Sequence, residues 1–193
     1  AVATNGHRLH TTSVEAPDGA KLPSGEGIIV PAKACVEIIR LAGEAAEQPV
    51  TVEMSRNMIA VSAGAERITS KLIEGTFPDW KRVLPQETKI SAAADVSELL
   101  AAIDRVMKIQ AVNESKMKAK ERAGRIKLEA DGDYLVVSSG DRGDNQARDG
   151  VPAEFNGDWG YHGASARYLR ATLAAMAERK GDTVIIDSAD MSS

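Results

Sequence analysis

The stretch "ETKISAAADVSELLAAIDRVMKI", residues 87–109, decides the fold of this chain. It opens as a strand, residues 87–94, and continues as a helix, residues 95–109, whose apolar residues Leu99, Leu100, Ile103, Val106 and Met107 recur at helical spacing. Glu98, Arg105 and Lys108 lie opposite that stripe. Three more strand candidates follow: "GRIKLEAD" (124–131), "DYLVVSSG" (133–140) and "NQARDGVPAEF" (145–155).

The same unit recurs on either side. Upstream, "GEGIIVP" (25–31) reads as a short strand, and "AKACVEIIRLAG" (32–43) as a helix entered at Pro31 and closed by Gly43. Cys35, Val36, Ile38, Ile39 and Ala42 form its expected apolar face, with Lys33, Glu37 and Arg40 on the other. Strands are expected at 50–54, 57–64 and 66–74. Downstream, "WGYHGA" starts a third copy, continued by the helix "SARYLRATLAAMAERK" (165–180) and the strand "DTVIID" (182–187). Leu169, Leu173 and Met176 are expected to face inward there, with Arg167 and Arg170 outward.

A repeated strand–helix–three-strand unit predicts an α+β fold. One such unit exposes an apolar sheet face that a second must cover. Pro78 and Pro85 mark the boundary between two domains, 1–85 and 86–193. The chain opens without Met on the strand-like "AVATNGHRLHTTSVE", so it is expected to belong to a longer polypeptide.

At 193 residues and 43% hydrophobic, the chain has enough apolar residues to bury a core. Its 27% charged residues, the absence of a bilayer-length apolar run and the absence of a signal-peptide pattern predict a soluble cytoplasmic protein with no membrane partner. The single Cys35 has no internal disulfide partner and reads as a small buried thiol in a reducing compartment. A net charge of −4 excludes a uniformly basic nucleic-acid binder but does not say where the basic residues lie. Each helix carries two of them on its polar side: Lys33 and Arg40, Arg105 and Lys108, Arg167 and Arg170. Such faces are either plain solvated surface or a surface turned toward a polyanion.

No phosphate-cradling or nucleophile-elbow motif is present, and His7, His10 and His162 lack metal-ligand spacing, so neither a cofactor nor a metal is expected. His7 and His10, read as one strand, would point to opposite faces. Asp141, Asp144 and Asp149 share one loop, which reads either as an ordinary hairpin tip or as a divalent-metal site. The basic stretch 113–124 reads as a loop or a helix extension. "TSKLIEGTFPDWKRVLP" (69–85) sets Phe77, Pro78, Trp80 and Val83 beside Arg82 where the chain leaves the sheet.

"ATNGHRL" (3–9), "IIVPAKACVEIIRL" (28–41) and "TSKLIEGTFPDWKRVLP", in that order, resemble the middle domain of the bacterial sliding clamp, the DNA polymerase III beta subunit. "SELLAAIDRVMKI" and "ARYLRATLAAM" resemble the helices of the family's third domain. The resemblance implies a DNA-clamp fold, with antiparallel sheets outside and helices inside. Residues 1–85 would be the C-terminal part of the middle domain and 86–193 the third domain without its last strands. It implies a non-catalytic processivity factor, a homodimer at full length, that encircles duplex DNA. It would tether polymerase III subunits, clamp loader and repair proteins through short linear peptides.

By position, Thr4, Gly6, His7, Arg8, Leu9, Pro78, Arg82 and Val83 would line the peptide pocket, with Phe77 and Trp80 as core anchors of the turn. Lys33, Arg40, Arg105, Lys108, Arg167 and Arg170 would face DNA. Asn5 stands where the family has Asp, and Trp80 where it has Tyr. Two other readings stay open: a divergent clamp-fold scaffold, and a metal-dependent enzyme built on the Asp141/Asp144/Asp149 loop.

Overall fold

The computed structural model describes residues 1–21, 27–45, 48–85, 87–114, 124–139, 146–177 and 181–188, with the side chains of 110–114 left out. The chain divides into two compact units, Ala1–Val83 and Leu84–Ser193.

The first unit begins with a small antiparallel hairpin, β1 (Val2–Thr4) and β2 (Leu9–Thr11), in the register Val2↔Thr11 and Thr4↔Leu9. Helix α1 (Ala32–Glu44) follows, and then an antiparallel meander of β3 (Val50–Met54), β4 (Met58–Ala63) and β5 (Glu66–Lys71). Leu41, Ile59, Val61 and Ala63 are its buried cluster, with Ile28, Val30, Ile38, Ala45, Ile68 and Leu72 packed around it.

Three expectations for this unit need correcting. Residues 27–31 are not a strand. They run extended with a backbone link from the Ile73 N–H to the Ile29 carbonyl (2.9 Å), and bury Ile28 and Val30 against the cluster. The helix does not close at Gly43; it runs to Glu44, with the Ala45 N–H donating to the Leu41 carbonyl. Its inner face is also a different one. Ala34, Ile38, Leu41 and Ala45 meet the core at helical spacing, whereas Val36 and Ile39 are 64% and 72% exposed and Cys35 is only half-buried. The helix therefore carries two apolar stripes, and only one meets its own sheet. Val50, Val52 and Met54 of β3 sit opposite Ala63, Val61 and Ile59 in the register, yet remain exposed, so the sheet's inner face is uncovered at that edge.

The second unit contains β6 (Ile90–Asp95), α2 (Val96–Glu114), β7 (Arg125–Asp131), β8 (Tyr134–Ser139), β9 (Ala147–Asn156), β10 (Tyr161–Ser165), α3 (Ala166–Met176) and β11 (Thr183–Ser188). These strands form one antiparallel sheet in the order β10-β7-β8-β9-β6-β11. The pairing is an exchange between the two copies of the repeat. The second strand of the first copy, β7, pairs with the first strand of the second, β10. The second strand of the second copy, β11, pairs with the first strand of the first, β6.

The helix starts repeat this exchange. The Val96 N–H donates to the Asp182 carbonyl just before β11 (2.9 Å), and the Ala166 N–H to the Gly124 carbonyl just before β7 (2.7 Å). Asp95 also caps α2, its Oδ1 accepting from the Glu98 N–H at 2.9 Å, which is why the strand converts to helix without a loop. α2 and α3 pack on each other, and Leu99, Ile103, Val106 and Leu173 are buried with Ile126, Leu135, Val137 and Val151 of the sheet. The sheet is strongly curled: His162 of β10 and Ser188 of β11, on opposite edge strands, stand 3.3 Å apart (Nδ1 to Oγ). His162 Nε2 also bonds the Trp159 carbonyl at 2.7 Å, and its ring meets the buried Trp159 edge-on at 4.5 Å. Met176 does not face inward; it is 43% exposed where α3 ends.

Leu173→Ala should therefore cost the second unit about 2–5 kcal/mol, while Met176→Ala should stay within about 0.5 kcal/mol. Native-state hydrogen exchange of the β8 amides reads this unit by itself and would reveal any reversal of the order.

Candidate functional site

The β1–β2 turn is built by its own side chains. Asn5 Oδ1 accepts from the His7 N–H (3.1 Å) and the Arg8 N–H (3.2 Å), an Asx turn that needs only an acceptor oxygen. Asn5 thus closes the turn with a neutral amide where the resemblance expects a carboxylate. Thr4 Oγ1 donates to the Arg8 carbonyl (2.9 Å) and accepts from the Gly6 N–H (3.2 Å). Gly6 takes φ +84°, a left-handed conformation that a side chain would strain. These bonds set Thr4, Gly6, His7 and Arg8 at one exposed tip, with Leu9 half-buried at the start of β2. His7 lies in the turn and only His10 in a strand, so the expectation that both share one strand fails.

The second group sits on and beside a single 3₁₀ turn, Trp80–Val83. Arg82 Nε pairs with Asp79 Oδ2 at 2.8 Å, Pro78 is exposed and Val83 is 69% exposed. The turn thus offers an apolar edge beside a cation. Phe77 and Trp80 are half-buried, and neither is among the described residues packed on the two buried clusters. Lys81 Nζ lies 6.0 Å over the Trp80 ring. A shallow cleft among Ile29, Arg56, Asn57, Leu72 and Glu74 shares no residue with either group.

All six helix cations are exposed, and most are already engaged. On α1, Arg40 bonds Glu44 (2.5 Å), Glu37 (3.2 Å) and Glu66 (3.5 Å). On α2, Arg105 pairs with Asp149 of β9. On α3, Arg170 takes Asp104 of α2 with two nitrogens, at 2.5 and 3.3 Å. Hydrogen bonds donated to these carboxylates hold all three guanidinium pKa values above the ordinary one: Glu44 first for Arg40, Asp149 for Arg105, Asp104 for Arg170. Arginine itself stays charged throughout the working range. Arg167 reaches its neighbour Tyr168, with Nη2 3.3 Å from the hydroxyl and the guanidinium 5.0 Å from the ring centre. Among the described residues, Lys33 and Lys108 have no carboxylate partner.

Sequence reasoning placed Glu37 on the same face of α1 as Arg40 but missed the other carboxylates. Glu44 stands at i+4 from Arg40 and could have been found by spacing. Asp149 comes from a strand far along the chain and gives no local signal. Of the acidic loop, Asp141 and Asp144 lie outside the described residues, as do 115–123 of the basic stretch, and Asp149 is taken up by Arg105. Among the described residues, no three His, Cys, Asp or Glu side chains could together hold a metal ion. No helix there is long and apolar enough to cross a membrane.

Known structures share this architecture. A Caulobacter crescentus beta sliding clamp superposes on 98% of this chain and 46% of its own, with a TM-score of 0.80 at 32% identity. A Bartonella birtlesii sliding clamp solved with griselimycin gives 0.76 at 29% identity, over 98% of this chain and 47% of its own. The fold is the DNA-clamp fold, an α+β arrangement of repeated units. Residues 1–79 match the family described as DNA polymerase III beta subunit, central domain. The beta sliding clamp of Caulobacter vibrioides (strain NA1000 / CB15N) is 36% identical over 170 residues, 88% of this chain and 42% of that relative. Over most of its length the chain is similar to bacterial beta sliding clamps, and it spans less than half the length of these relatives.

If Asn5 acts only as a turn acceptor, Asn5→Asp should keep the His7 and Arg8 amides protected from exchange. Asn5→Ala should speed their exchange about tenfold, the equivalent of about 1.4 kcal/mol of hydrogen bonding. Equal exchange in the two variants would show that the side chain does not hold the tip.

Proposed function

We propose that this chain is the part of a ring-forming processivity clamp that carries the partner-docking pocket and a stretch of the DNA-facing lining. Residues 1–85 supply the C-terminal part of the middle domain and 86–193 most of the third. The pocket is formed by Thr4, Gly6, His7, Arg8 and Leu9 from the hairpin with Pro78, Arg82 and Val83 from the 3₁₀ turn. It takes the apolar end of a short linear peptide. The observation that carries this reading is the match of nearly the whole chain to solved beta sliding clamps.

The chemistry of the two turns supports it. Leu9, Pro78 and Val83 give apolar contact, while the stems of Arg8 and Arg82 can cover an apolar ligand and keep their charges in water. The hydrogen-bonded tip presents His7 and Arg8 with little ordering left to lose on binding. Duplex DNA meets the helices through their cations, without base readout, as a sliding contact requires. The protein at full length works as a cytoplasmic homodimer without catalysis or cofactor, tethering polymerase III subunits, clamp loader and repair proteins.

The test is fluorescence anisotropy of a labelled peptide ending in apolar residues, titrated with this chain and with its His7→Ala and Arg82→Ala variants. Saturable binding weakened about tenfold by Arg82→Ala, roughly 1.4 kcal/mol, is the expected result. Equal affinity for both variants and the parent would remove the hairpin and turn from the site. Failure to bind even with the C-terminal strands of the relatives appended would overturn the docking function.

A further inference from the structure

Resting on the reading of the helices as DNA-facing, we propose that Asp104 and Asp149 set how tightly the second unit holds duplex DNA. They do so by occupying guanidiniums that phosphates would otherwise take. Asp104 offers both carboxylate oxygens to Arg170 across the α2–α3 contact, the two-point geometry that a phosphate would use. Asp149 holds Arg105 from the inner face of β9, where it shares the side of Ala147 and Val151. The arginines of both pairs stay about half exposed, at 46% and 58%, so a phosphate can reach them.

The consequence follows from ion counting. An unpaired cation that meets a phosphate releases a counterion from the DNA, and that release drives binding. An arginine that must first leave its aspartate gains little, because the freed carboxylate takes up a cation as the DNA gives one off. Lys108, with no such partner among the described residues, contributes its full share. The face thus carries several cations and the grip of far fewer.

The experiment measures binding of the whole 193-residue chain to a labelled DNA duplex by anisotropy across a salt series. Asp104→Asn and Asp149→Asn keep side-chain size while removing the competing charge. Each should tighten binding on the order of tenfold near about 50 mM salt and steepen the log–log salt slope by about 0.9. Glu154→Gln, on the exposed outer face of β9, makes the same change in net charge and should do neither. Lys108→Ala should flatten the slope by about 0.9.

If both aspartate variants behave like Glu154→Gln while Lys108→Ala still flattens the slope, the carboxylates are only structural and the proposal falls. If Lys108→Ala has no effect either, the DNA-facing reading of these helices falls with it. Asp149 lies on a strand rather than in the helix contact, so it keeps the test valid should Asp104→Asn loosen α2 from α3.

Discussion

The second unit depends on an exchange: neither copy of its repeat pairs its own first two strands with each other. β7 is satisfied by β10 and β11 by β6, and each helix start donates to the carbonyl just before the other copy's second strand. A single copy would leave a ladder of backbone donors and acceptors open on both strands, so each copy's sheet is completed by its neighbour. The burial pattern agrees. Leu99, Ile103 and Val106 from one copy and Leu173 from the other lie in one cluster, reached only when both helices sit against the shared sheet. The helices are pinned by this core, and their polar sides are left to carry charge.

The order of strands and helices was legible because its signals are local. Alternation between Gly-bearing turns located 124–131 and 133–140 to within a residue or two of β7 and β8. Where the reading failed, the deciding partner was remote in sequence. Residues 27–31 are as apolar as a strand, but among the described residues no neighbour extends their pairing beyond the Ile29–Ile73 link. α1 has two apolar stripes, and periodicity finds both without saying which one meets a sheet. Met176 continues the inward pattern of α3, yet lies where the helix runs out.

The candidate site divides along the same line. The residues of the hairpin tip are singled out through the family resemblance, although the sequence by itself reads the turn as strand; its closing bonds span only a few positions. The state of the helix cations could not be read the same way, because Arg105 and Arg170 are paired by acids far away in sequence. A count of basic residues on a helix face therefore overstates its field. Paired with carboxylates at hydrogen-bond distance, these arginines act as dipoles whose influence fades faster than that of a lone charge.

The β6–β11 register has a consequence for how the chain comes to be folded. Ala92 pairs with Ile186, so a contact that completes the sheet joins the two extremes of the second unit. Such a ladder contributes nothing until nearly the whole unit has left the ribosome, and its late closure makes for slow folding. Until β11 arrives, β6 has one bare edge and the buried cluster lacks Val184. A nascent chain of this design spends part of its synthesis as an unfinished sheet, in need of protection from its neighbours on the same message.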